Sequence, residues 1–164
     1  MTTTTTTPLH TVSCPPPGGT SPLLSAGGST QPLIDHVVLD RLREDLYEYE
    51  VWRVFVQNFI TALPARIEKL RVALTTGDVV GARDAVLSLK SASQMVGAEG
   101  LAALALDLEA AQREGVRIAD PAVALPRLAV DYLYLIKQRA SQTSHALQTH
   151  LDAARRPRNI VGQP

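Results

Sequence analysis

Cysteine is nearly missing: Cys14 is the one thiol in 164 residues. Without a second, neither an intramolecular disulfide nor a multi-cysteine zinc site can form. An excess of charge of either sign is missing too. Sixteen Lys and Arg balance sixteen Asp and Glu, with a pI near 6.9, whereas a nucleic-acid protein normally carries a basic face. No apolar run reaches the ~18–20 residues of a membrane span. Met1-Thr2 through Thr7 offers neither a basic n-region nor an apolar h-region, so no secretory signal is read there. Thr11-Val12-Ser13-Cys14 has the outline of a lipoprotein cleavage site but lacks the apolar stretch that should precede it. These absences predict a cytoplasmic protein that binds neither nucleic acid nor membrane. The chemistry-bearing motifs are absent as well: no phosphate-cradling glycine loop, no nucleophile elbow and no cysteine–histidine pairing. Nothing marks an enzyme, a cofactor site or a metal site.

What is present divides at Pro32. Residues 1–32 are rich in Thr, Pro, Gly and Ser, with Pro15-Pro16-Pro17-Gly18-Gly19 and Gly27-Gly28-Ser29-Thr30. Such a segment has too little apolar surface to offset its ordering entropy and is expected to be a disordered tail. Residues 33–155 carry a helical texture with no Asn-Gly or Asp-Gly hairpin signal, and residues 156–164 are expected to form a flexible C-terminal tail. The basic cluster Arg155-Arg156-Pro157-Arg158 is read as a solvated helix end.

Five helices are predicted. The first runs from about Asp35, its N-cap, to Leu46, with Val38, Leu39, Leu42 and Leu46 on one face. The second covers about Glu50 to Thr75, where Val51, Phe55, Phe59, Leu63, Ile67, Leu70 and Leu74 recur at three and four residues. Pro64 lies inside it and removes one backbone hydrogen bond. Gly77 closes it and Asp78 caps the next. The third spans Val79 to Val96 and ends at Gly97. The fourth runs from Gly100 to Glu114, with Leu101, Leu104, Leu108 and Ala111 inward, and stops at Gly115. The fifth starts at Asp120-Pro121, a cap followed by proline at the first helical position. It reaches towards Arg155, with Leu125, Leu128, Tyr132, Leu135 and Ile136 inward. Long amphipathic helices joined by short turns predict an all-α fold, an antiparallel four-helix bundle with a short additional N-terminal helix.

The third helix has two unlike faces. Val86, Leu89, Ser93 and Val96, with Ala85 and Ala92, make a narrow inward face. The opposite row reads Arg83, Leu87, Lys90, Ser91 and Gln94, spaced by four, three, one and three residues. Leu87 is the apolar member of an otherwise polar row and is expected to be exposed.

Leu87-Ser88-Leu89-Lys90-Ser91, followed by Gly97-Ala98 and Leu101, resembles the signature of histidine phosphotransfer (HPt) domains. There the helix reads His-x-Leu-Lys-Gly, then small residues, then Leu-Gly-Ala and a leucine three residues on. The landmarks fall in register without an insertion, and the resemblance extends over about residues 35–150. It also takes in the Phe59-x-x-x-Leu63-Pro64 segment, the Gly77-Asp78 turn and Leu108-Glu109. The resemblance implies the same bundle and places Leu87 where the family has its phospho-accepting imidazole. It implies further that Lys90 is the lysine that offsets phosphate charge, and that Ser91 replaces the glycine that clears room for a receiver domain.

The function implied is that of a degenerate HPt-like adaptor in two-component signalling, a monomer. It would dock a response-regulator receiver domain or a histidine kinase through Arg83, Leu87, Lys90, Ser91 and Gln94 and pass on no phosphate. The alternative is a helical-bundle interaction protein unrelated to phosphorelay. His36, His145 and His150 lie outside the signature and read as solvated, and the five-residue spacing of the last two does not suit a metal pair on one helix face. Glu44, Asp45, Glu48 and Glu50, interleaved with Tyr47 and Tyr49, read as the solvated junction of the first two helices, and Trp52 as a cover at the core's edge.

Overall fold

A computed structural model describes residues 31–155; the two tails expected from the sequence lie outside those residues, apart from Gln31 and Pro32. Five helices follow one another: α1 (His36–Asp45), α2 (Tyr49–Thr76), α3 (Val79–Met95), α4 (Glu99–Ile118) and α5 (Pro121–Arg155). No strand occurs among the described residues. The neighbouring pairs α2–α3, α3–α4, α4–α5 and α2–α5 close a four-cornered antiparallel bundle, and α1 lies across α2 and α3. None of the described helices is long and apolar enough to cross a membrane.

Local chemistry sets the helix ends. The Asp35 carboxylate accepts from the Val37 N–H at 2.8 Å, and Asp78 accepts from the Gly81 N–H at 3.0 Å. Each satisfies an orphan donor of a first helical turn. Asp120 does the same for Ala122 at 2.8 Å before the Pro121 turn of α5. Gly77 closes α2 at φ 73°. Gly97, at φ 68°, ends the α3 segment against the start of α1: its carbonyl accepts from the Asp35 N–H at 2.7 Å. A Cβ there would stand 2.6 Å from the Asp35 carbonyl oxygen, so the turn admits glycine alone.

The core is a leucine-rich column formed by Leu39, Leu63, Leu70, Leu74, Leu89, Leu101, Leu108, Leu125, Ile136 and Leu147, with Trp52 closing one end. Three expectations are corrected. α4 does not stop at Gly115 but continues to Ile118. Gly115 has no left-handed φ, and a Cβ there would meet Ala124 Cβ at an ordinary 3.5 Å, so nothing ends the helix at that residue, while the Glu114–Arg117 pair at 2.6 Å spans the last turn. The buried face of α2 begins at Trp52 and Val56; Val51 is exposed and Phe55 half-buried. On α5 Leu135 points outward, and Ala129, Ile136 and Ala140 carry the seam.

Candidate functional site

α3 has no proline and no internal charge pair to bend it, and its small inward residues seat it closely on both neighbours. Ala82, Ala85, Val86, Leu89 and Ser93 are buried, and Val96 beyond its end is buried too, as the inward reading expected. Ala92 is half-buried. At about 100° per residue, the outward surface then splits into two flanks. Arg83, Leu87, Lys90 and Gln94 lean towards α4; Asp84, Ser88 and Met95 lean towards α2.

On the α4 flank Arg83 and Gln94 are exposed, Ser91 is exposed at the crest, and Lys90 is half-buried. Leu87 is also half-buried, a correction to the fully exposed side chain expected. The α4 flank narrows to a cleft of about 120 Å³ lined by Val79, Arg83, Glu109, Gln112, Arg113, Val116 and Leu125. Lys90 Nζ meets Glu109 Oε2 at 2.6 Å, and Arg113 Nη2 meets Glu109 Oε1 at 2.6 Å. The hydrogen bond from Lys90, with that from Arg113 behind it, holds the Glu109 carboxyl below the usual carboxylate range against the opposing effect of its desolvation. Two cations, Lys90 and Arg113, thus hold one carboxylate, and Arg83 lines the same cleft.

On the α2 flank Arg66 Nη1 donates to Ser88 Oγ at 2.6 Å, which ties α2 to α3 one residue beyond Leu87. Neither the Glu109 clasp nor the Arg66–Ser88 bond was foreseen. Leu108-Glu109 is a landmark of the resemblance, but partners nineteen and twenty-two residues apart have no local signature. Buried Gln112 donates to the Ala82 carbonyl at 3.4 Å and adds a polar link between α3 and α4.

The described histidines lie on other helices: His36 on α1, His145 and His150 on α5. His145 is exposed. His150 is not the solvated group expected. It is half-buried with its ring 5.6 Å from that of His36 and 5.9 Å from that of Trp52. Trp52 itself is fully buried under α1. The carboxylates of the α1–α2 junction, Glu44, Asp45, Glu48 and Glu50, are exposed. Among the described residues no cluster of three or more His, Cys, Asp or Glu could hold a metal ion.

The outward surface of α3 offers an apolar spot, cationic side chains and hydroxyls. Comparison with known proteins gives two findings. The family model described as "Hpt domain" matches residues 54–158. The crystal structure of histidine-containing phosphotransfer protein B (HptB) from Pseudomonas aeruginosa PAO1 superposes with a TM-score of 0.61 at 23% identity, over 74% of this chain and 96% of that one. At that identity the likeness is one of fold. No curated protein matches the chain.

Proposed function

The chain belongs to the Hpt domain family, and from that premise we propose that it is a docking module of two-component phosphorelay that carries no phospho-acceptor. It binds a response regulator's receiver domain, or a histidine kinase, through Arg83, Leu87, Lys90, Ser91 and Gln94 and leaves the phosphate where it is.

One observation carries this reading: α3 has Leu87 three residues before Lys90, the spacing at which the resemblance to the family's His-x-Leu-Lys signature puts the acceptor. An imidazole there would attack an aspartyl phosphate and hold the phosphoryl as a phosphoramidate. A leucine side chain has no lone pair and can do neither. What remains suits an interface, where an apolar anchor inside a polar rim is the common pattern. The exposed Arg83 beside the Lys90–Glu109–Arg113 clasp favours an anionic partner surface, such as the pocket around an aspartyl phosphate.

The test is incubation with a phosphorylated receiver domain, beside a binding titration with the same domain. Complex formation without acid-labile, base-stable label on this chain is the expected result. Stoichiometric phosphohistidine on the chain would sink the proposal.

A further inference from the structure

The junction of α1 with the far end of the bundle is built from rings. His36 of α1 faces His150 of α5 at a centroid distance of 5.6 Å and a tilt of 37°. His150 meets the edge of Trp52 at 5.9 Å, and Trp52 lies against Tyr49 at 5.7 Å. The Arg43 guanidinium sits 5.8 Å above the Tyr49 ring and 6.0 Å above that of Trp52. We propose that α1 is a proton-released flap: when His150 takes up a proton beneath α1, against the His36 ring and the Arg43 guanidinium, α1 swings away from this end of the bundle and uncovers Trp52.

A neutral His150 ring packs against these partners, whereas an imidazolium there loses solvent and faces the permanent charge of Arg43. Burial, His36 and Arg43 together push His150 below its ordinary value of 6.5, and Asp40 alone among the groups acting on it opposes them. All three charged or titratable partners belong to α1. α2 presents the Trp52 ring to His150, and its own charges there, Glu50 and Arg53, satisfy each other at 3.0 Å. On α5, Asp152 accepts from Gln148 at 3.4 Å.

The direction of the pH effect follows from which state holds the proton more readily. With α1 closed, His150 resists protonation; with α1 open, it regains its ordinary value. Closure therefore has full strength above about pH 6.5 and weakens as pH falls through the lower value that His150 has in the closed form.

The structure contains the parts such a flap needs. Leu39, fully buried, and Ile34 hold α1 shut at neutral pH. Tyr47, exposed and at φ 50°, forms the link to α2, a backbone conformation that a non-glycine residue seldom adopts. Under the flap, Trp52 Nε1 and the Tyr49 hydroxyl are buried without hydrogen-bond partners, and opening gives both access to water. The bond from the Asp35 N–H to the Gly97 carbonyl is the link that opening breaks, and water can replace it on both sides.

Trp52 is the chain's one tryptophan and reports on its own cover. Acrylamide quenching and the emission wavelength of Trp52 should be followed between about pH 7.5 and about pH 5, with far-UV circular dichroism recorded in parallel. Intensity alone is not used, because an imidazolium quenches indole directly. The flap predicts at least about a threefold rise in the quenching constant with helicity retained. It also predicts a smaller rise in His36→Gln, an exposed position that tolerates the change, and none in His150→Gln. A flat quenching constant in the parent, an undiminished rise in His36→Gln, or a rise that tracks loss of helicity overturns the proposal.

Discussion

Lys90 and Glu109 join α3 to α4 through a contact of 2.6 Å whose side chains are only 21% and 14% exposed. Arg113 grips the second oxygen of the same carboxylate. The clasp fixes the rotation of α3 about its axis, and thereby the direction in which Leu87 points.

Removing one side of the clasp should loosen that seam. Lys90→Met leaves Glu109 with the exposed Arg113 alone and should cost about 1 kcal/mol, the net worth of a partly shielded charged hydrogen bond. Denaturant melts measure it. Because Lys90 holds the Glu109 carboxyl low, the clasp is at full strength above the ordinary carboxylate value. It fades as pH falls through the lower value of the folded protein. Melts repeated down the acid limb should therefore converge for parent and Lys90→Met; a gap that widens with acid would contradict the sign.

Leu87→Glu separates docking from packing. The side chain is half-buried, so the change should cost roughly 0.5–1.5 kcal/mol of stability, more than a fully exposed site would show. Binding to a receiver or kinase should weaken by about 1 kcal/mol or more through loss of the apolar anchor. Unchanged affinity in a titration of the mutant would mean that the face is no longer used.

Leu87→His asks whether the rest of the scaffold is still competent. If the α3 surface retains the family's geometry, the new imidazole should take up acid-labile phosphate from a phosphorylated receiver, where the parent takes none. Labelling of the parent chain to the same extent would show that an acceptor lies elsewhere.

Trp52→Ala should be far more damaging, about 3–5 kcal/mol, since it empties a fully buried site beneath α1. Deleting residues 1–30, whose composition is that of a tail, should by contrast leave the melting temperature almost unchanged. Thermal melts of the two variants give the comparison, and a drop of many degrees on truncation would show that the segment packs on the bundle.

The helices were legible because their caps are local. Asp35, Asp78 and Asp120 announce three starts, and Gly77 and Gly97 two ends. The inward face of α2 was legible from Phe59 to Leu74 but not in its first turns, because apolar residues stand at both Val51 and Trp52 and again at both Phe55 and Val56. Which of each pair turns inward depends on α1 and α5, whose cover over Trp52 no local pattern records. Gly115 misled because a glycine ends a helix where its backbone turns left-handed, as at Gly77 and Gly97, and the sequence does not record that turn. The outward row of α3 followed from spacing alone. Its partners did not, since Glu109 and Arg66 reach it from other helices.

α5 is a single rod of 35 residues, about 53 Å at 1.5 Å per residue, and its last turns return to the place where α1 begins. His36 and His150 are ring neighbours, so the two ends of the helical bundle are separated by little more than a loop's reach. A short polar linker could close the chain on itself, and a new opening in the α2–α3 turn would yield a circularly permuted protein with α3 at its amino terminus. In that rearranged chain the helix with Leu87 would emerge first and wait for α4 to set its rotation, without a change to any residue of the bundle.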